Sequence, residues 1–158
     1  MRYERQLMLP EIGPEGQAKI KQARVLLVGV GGLGSPIALY LTGAGIGTLG
    51  LMDDDVVSNS NLHRQVLYAE EQLDQPKIDE AVKRLHSLNS EVYLKPYPFR
   101  LTSDNAASII SQYDMVIDGC DNFATRYIID DACRAAGIPY LYGAVCCLLY
   151  TSDAADEE

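Results

Sequence analysis

The sequence predicts a doubly wound, mainly parallel α/β sheet with helices on both faces, a Rossmann-like architecture. Three observations lead there. Short apolar runs alternate with segments of helical length and periodicity along the chain. The first apolar run, Val25-Leu26-Leu27-Val28, passes straight into the turn Gly29-Val30-Gly31-Gly32-Leu33-Gly34. The polar residues with chemical reach, Asp53 and Asp118 to Asn122, follow the ends of later apolar runs. That is the edge at which open parallel sheets bind ligands.

The elements follow in order. Residues 1–22 read as helical, with Leu7, Leu9 and Ile12 apolar and a second short helical stretch over 17–22. A first strand covers 25–30; its unbroken hydrophobicity marks a strand buried on both faces. Ser35 and Pro36 open a helix that Gly43 and Gly45 end. A second strand covers 48–53, and a long polar loop covers 54–71. Asp74 is the expected cap of a helix over 76–88, with Ile78, Ala81, Val82 and Leu85 on one face. A third strand covers 92–95 or slightly more. Ser103 or Asp104 opens a helix to Gln112, and a fourth strand covers 115–118. A helix over 124–136 stops at Gly137, and a fifth strand covers 140–145. The alternation then ends, so the sheet reads as incomplete at its carboxyl end.

At 158 residues the chain is expected to form one domain. The net charge of −9 argues against a nucleic-acid partner, since phosphate backbones are held by basic faces. No apolar stretch reaches signal-peptide or membrane-spanning length, so no membrane association and a cytoplasmic location are expected. Cys120, Cys133, Cys146 and Cys147 form no Cys-x-x-Cys pair, and His63 and His86 lack metal-ligand spacing. Free thiols are the expected state.

Gly29, Gly31 and Gly34 allow a tight turn and close phosphate approach over a helix amino terminus. Asp53 lies 19 residues after Gly34, where a carboxylate accepts hydrogen bonds from ribose hydroxyls. These features alone specify only a nucleotide. Arg64, in a loop with Asn61 and Gln65, adds a guanidinium that forks onto phosphate oxygens. Lys77 stands at a helix start, where a cation opposes the dipole and so hints at a bound anion. Asp121, beside Asn122, offers a carboxylate for magnesium bridging phosphates. Two separated cations and a further aspartate suit a triphosphate. A dinucleotide, the competing oxidoreductase reading, would leave Arg64, Lys77 and Asp121 without a common purpose. A non-catalytic nucleotide-binding module is the third reading. Asp118 is read as a strand-end packing residue, and Cys120 as a small neighbour rather than a nucleophile.

Six segments carry a family resemblance: Arg2-Tyr3-Glu4-Arg5-Gln6, the Gly29 to Gly34 turn with Gly32, Asp53-Asp54-Asp55, Ser60-Asn61-Leu62-His63-Arg64-Gln65, Gln75-Pro76-Lys77 and Asp121-Asn122. In order and spacing they resemble the adenylyltransferases that activate ubiquitin-like proteins, whose bacterial members include ThiF, MoeB and HesA. The resemblance covers residues 2–146. Leu51-Met52-Asp53-Asp54-Asp55 and Leu101-Thr102 look nearer to ThiF than to MoeB.

The resemblance implies an ATP-dependent, magnesium-dependent enzyme. Its partner would be a ubiquitin-like sulfur carrier ending in Gly-Gly, serving thiamine or molybdopterin synthesis. The carrier's terminal carboxylate would attack the α-phosphorus of ATP, giving an acyl-adenylate and pyrophosphate. Gly32 and its neighbours would contact ATP, and Asp53 its ribose. Asn61, Arg64 and Lys77 would hold phosphates and the attacking carboxylate, with Asn122 beside the nucleotide and Asp121 on magnesium. Arg5 would reach the neighbouring subunit's site in a homodimer. The family pattern also includes two Cys-x-x-Cys pairs for structural zinc, and these ligands are absent from this sequence.

The segment from Cys147 to Glu157 resembles a translated transposon-adapter sequence. The expected division is therefore an ATP-binding adenylation domain over 1–146 and a non-native tail over 147–158. The chain as given is expected to be poorly active.

Overall fold

The computed structural model describes residues 2–144. Within them lies a five-stranded, all-parallel sheet of order β3-β2-β1-β4-β5. The strands are β1 (Arg24–Val28), β2 (Thr48–Met52), β3 (Tyr93–Tyr97), β4 (Met115–Asp118) and β5 (Tyr140–Tyr142). The helices are α1 (Glu4–Leu7), α2 (Gly13–Gln22), α3 (Gly34–Ala44), α4 (Lys77–Leu88), α5 (Ser103–Ile110) and α6 (Phe123–Ala136). This is the doubly wound Rossmann-like fold that the alternating sequence predicts.

Two cores account for the winding. Strand side chains alternate between faces. Val25, Leu27, Leu49 and Leu51 pack with Ala38 of α3 and Ile78, Ala81 and Leu85 of α4. Leu26, Val28, Met52 and Val116 face the other way, against Ala106, Ile109 and Ile110 of α5 and Ile129 and Cys133 of α6. β1 is central because both of its faces are apolar. Its residues pair with β2 (Val28 with Met52) and with β4 (Val28 with Asp118). The chain leaves β1 for β2 and β3, then returns to β4 on the opposite side. The resulting crevice opens between the ends of β1 and β4, where such folds bind ligands.

Several boundaries differ from the sequence expectation. β1 stops at Val28; Val30 is fully buried in the turn, which makes it look like strand in sequence. β2 likewise stops at Met52, which puts Asp53 just beyond the strand. The amino-terminal region does hold two helices, but α1 ends at Leu7 and the second, expected over 17–22, begins earlier, at Gly13. Asp74 does not cap α4. Its φ is 63°, its N–H donates to Val57 O, and Pro76 holds the cap position without a side-chain bond. α5 ends at Ile110, and Asn105 Oδ1 accepts from Thr102 N–H at 2.9 Å to close its first turn. β3 extends to Tyr97; its Pro96 is tolerated because β3 is an edge strand of this sheet. The predicted extension of β5 to residue 145, and the tail over 147–158, lie outside the described residues.

Two amide side chains tie the amino-terminal helices to the far end of α3. Gln6 Nε2 and Gln17 Nε2 both donate to Ala44 O, at 3.2 and 3.0 Å. α1 therefore sits at the sheet edge opposite the crevice.

Candidate nucleotide-binding site

The turn after β1 depends on backbone approach. Gly29 has φ +88°, and a Cβ there would lie 2.7 Å from the Gly119 carbonyl carbon. A Cβ on Gly34 would collide with Gly29 O. The two glycines thus let the β1 turn, the β4 turn and the start of α3 nest together. The amino-terminal end of α3 faces the crevice; the Ser35 N–H is taken by Gly31 O and the Ile37 N–H by Leu33 O, while the amides ahead of Ser35 have no intrahelical acceptors. That arrangement favours an anion.

Asp53 closes the other side of this turn. Its Oδ2 accepts from Val30 N–H at 2.8 Å and its Oδ1 from Asp55 N–H at 2.9 Å. Each carboxylate oxygen keeps a lone pair for a further donor such as a ribose hydroxyl. Asp55 in turn joins the start of α4. Its backbone O accepts from Lys77 N–H, and its Oδ2 lies 3.0 Å from Lys77 Nζ. Lys77 is only 2% exposed. The helix-start cation is therefore a buried charge held by a carboxylate rather than a solvated surface lysine.

Arg64 lies across Gly32, with its Cδ and Nε 3.4 Å from where a Cβ would stand. It makes two long contacts of 3.4 Å, to Ser60 O and Asn61 Oδ1. Gln65 is buried beside Gly31, and its Oε1 has no hydrogen-bond partner. After β4, Asn122 Oδ1 accepts from Thr125 N–H at 2.9 Å and so caps α6, a structural duty beyond the nucleotide contact expected of it. Asp121, between Cys120 and Asn122, has no hydrogen bond or ion pair among the described residues.

These groups surround one cleft of about 870 Å³. That size suits a small ligand such as a nucleotide. Gly29, Gly31, Gly32, Asp53, Asn61, Arg64, Lys77, Asp121 and Asn122 all line it. Gly34 lies beneath it, against Gly29. Arg5 is not among the lining residues; it is exposed on α1, at the opposite edge. The sequence reading missed Arg126, Phe99 and Arg100, which also line the cleft. Arg100 pairs with Asp54 at 3.1 Å. The lining thus holds four carboxylates (Asp53, Asp54, Asp55, Asp121) and four cations (Arg64, Lys77, Arg100, Arg126).

Carboxylate oxygens are the hard donors that magnesium takes. Asp53, Asp54 and Asp55 bring theirs within 4.8 Å of one another. All three are already engaged, by backbone amides, Arg100 and Lys77. Among the described residues Asp121 is the cleft carboxylate with no partner, which leaves its oxygens available to a cation. Among the described residues no such grouping includes cysteine or histidine. Burial and the neighbouring Asp118 push the Cys120 thiol up to about 11, which disfavours its thiolate.

A family model, that of the ThiF family, matches residues 3–151. The chain belongs to the ThiF family. It is 51% identical over 144 residues to the sulfur carrier protein adenylyltransferase of Thermus thermophilus, covering 91% of this chain and 53% of that protein. It is 53% identical over 139 residues to the adenylyltransferase and sulfurtransferase MOCS3 of Danio rerio, covering 88% of this chain and 30% of that protein. Its fold matches that of the tRNA N6-threonylcarbamoyladenosine dehydratase TcdA of E. coli in complex with ATP. The TM-score is 0.78 at 29% identity, over 81% of this chain and 53% of TcdA. The chain thus spans about half or less of these ThiF-family relatives. No helix among the described residues is long and apolar enough to cross a membrane.

Proposed function

We propose that the chain is the nucleotide-binding part of an ATP-dependent adenylyltransferase acting on the carboxy-terminal glycine of a ubiquitin-like sulfur carrier. The supporting observation is the convergence of Arg64, Lys77 and Asp121, distant in sequence, on one cleft beside the Gly29 turn. A pyrophosphate alone would not call for so many charged groups at that end. The likeness to adenylyltransferases and to an ATP-bound fold points the same way.

In this reading the amides of the glycine turn and the α3 amino terminus receive the phosphates. Asp53 receives the ribose hydroxyls. Arg64 and Lys77 offset the repulsion between ATP and the incoming carrier carboxylate, and Asn61 orients Arg64. A carboxylate oxygen of the carrier bonds to the α-phosphorus as the bond to the bridging oxygen breaks. Pyrophosphate leaves with that electron pair. Asp121 would hold magnesium, which would supply Lewis-acid neutralisation of the phosphates. No protein nucleophile takes part. A carrier ending in Gly-Gly, delivery of sulfur to thiamine or molybdopterin, a cytoplasmic location, and a homodimer in which Arg5 completes the neighbouring site belong to the same proposal. So does the division into an adenylation domain over 1–146 and a non-native tail.

Titration calorimetry with ATP–magnesium and, separately, NAD tests the nucleotide. ATP–magnesium is expected to bind and NAD to bind far more weakly. Arg64→Ala is expected to weaken ATP by roughly 10–150-fold, the value of one charge-assisted contact of about 1.5–3 kcal/mol. Preference for NAD, or an Arg64→Ala affinity equal to wild type, would sink the reading.

A further inference from the structure

Arg126 is a cation of the cleft whose three nitrogens all lie against groups of its own chain. It sits in the first turn of α6, and its side chain is 11% exposed. Its Nη2 donates to Cys120 O at 2.7 Å and to Gly143 O at 3.5 Å, and its Nη1 donates to Tyr142 OH at 2.7 Å. Its Nε lies 3.5 Å from Asp118 Oδ2, an ion pair without hydrogen-bond alignment. The guanidinium also stands over the Tyr142 ring, 4.7 Å from its centroid. Asp118 is fully buried, and its other contacts are Cys120 N–H and Tyr140 OH, each at 2.8 Å. Cys120 is thus gripped at both its N–H and its O. Two residues on, Asn122 is gripped through its side chain by Thr125 N–H, and its O accepts from Arg126 N–H at 3.4 Å. Asp121 lies between these two anchored residues and has no partner of its own among the described residues.

We propose that Arg126, seated on buried Asp118, is a positioning residue that presents the Asp121 carboxylate to the cleft and thereby couples magnesium to nucleotide binding. The inference rests on the reading of Asp121 as the metal ligand. A planar guanidinium serves three carbonyl or hydroxyl acceptors and one carboxylate at once; a lysine ammonium is a single point charge on a flexible stem. Burying this charge is tolerable because Asp118 answers it and both Nη groups are hydrogen-bonded. With both Nη groups engaged by residues 120, 142 and 143, Arg126 acts on the turn.

The test is calorimetric titration of the full 158-residue chain with ATP, in magnesium and in EDTA. Wild type is expected to bind ATP more tightly in magnesium. Asp121→Asn is expected to abolish that enhancement and leave the metal-free Kd unchanged or lower. Arg126→Lys is expected to cut the magnesium enhancement by about 10–100-fold, the usual effect of losing an outer partner of a metal ligand, with the metal-free Kd unchanged or lower as Asp121 is freed to turn away. If Arg126→Lys does not fold, Tyr142→Phe removes only the Nη1 acceptor at an exposed position and is expected to lower the enhancement in the same direction. Retention of the full enhancement by these variants would overturn the proposal while leaving the Asp121 reading standing. Parallel loss of metal-free affinity would overturn it in favour of direct ligand contact. A wild-type chain indifferent to magnesium, with Asp121→Asn likewise unchanged, would bring down the site reading and this proposal together.

Discussion

Replacing either member of the Lys77–Asp55 pair should separate stability from binding, with opposite signs. Lys77 is buried with one carboxylate 3.0 Å away, and that carboxylate is 64% exposed. Removing the partner of a fully buried charge costs about 3–5 kcal/mol. Solvent already screens Asp55, so Asp55→Asn is expected to cost less, about 1–2 kcal/mol. In a domain of this size that lowers Tm by roughly 2–8 °C. Lys77→Met does the reverse. It fills the same space without charge, and Asp55 returns to water at little cost. Its Tm is expected to be unchanged or higher, as when buried ion pairs give way to apolar residues. Its ATP affinity is expected to fall by about 10–150-fold, the loss of one charged phosphate contact. Thermal denaturation and calorimetry on the two variants read both effects. A large drop in Tm for Lys77→Met would make the lysine structural. An unchanged Kd would remove it from the phosphate site. Either result refutes the reasoning.

Two further predictions concern the turns. Gly34→Ala drives a methyl group onto Gly29 O, so α3 must shift; a loss of about 1–3 kcal/mol, or roughly 2–12 °C in Tm, is expected together with weaker ATP binding, and an unchanged Tm would contradict the nested packing. Cys120, with its thiol pushed up to about 11, is protonated at neutral pH; peptide mapping after iodoacetamide treatment should show slow modification there that rises toward alkaline pH, whereas rapid labelling at about pH 7 would show an unshifted thiol.

The fold was legible because its signal is carried by runs. Val25 to Val28, Leu49 to Met52 and Val116 to Ile117 are apolar on both faces, and a strand so built has to be covered twice. Element ends were less legible because tertiary contacts set them. Val30 is apolar and buried, yet it belongs to a turn because its N–H goes to Asp53 rather than to a neighbouring strand. Asp74 has a good capping side chain, but the bridge between Val56 and Pro76 holds the chain there and hands the cap to proline. Arg126 carried no sequence signal at all. It lies eight residues after Asp118, a spacing with no meaning until a strand, a turn and a helix start fold it back. Lys77 read as a helix-start cation that hints at a bound anion; its burial was not legible, because the ladder linking residues 55–57 with 74–77 produces it.

The charge arrangement explains why nucleotide and divalent ion would enter together. Of the eight charged groups in the cleft, Lys77 is paired with Asp55, Arg100 with Asp54, and Arg126 with its own turn. Asp53 is bonded to two amides. What remains is Arg64, held by two 3.4 Å contacts, and Asp121, held by none among the described residues. Arg64 can turn to a phosphate at little cost, because contacts that long are weak. Asp121 has the opposite effect: facing a bare triphosphate it repels, and facing a metal-bridged one it attracts. On the proposed reading, the same carboxylate would oppose ATP alone and favour ATP with magnesium, and its position, held through Arg126, would set how strongly the two forms are distinguished.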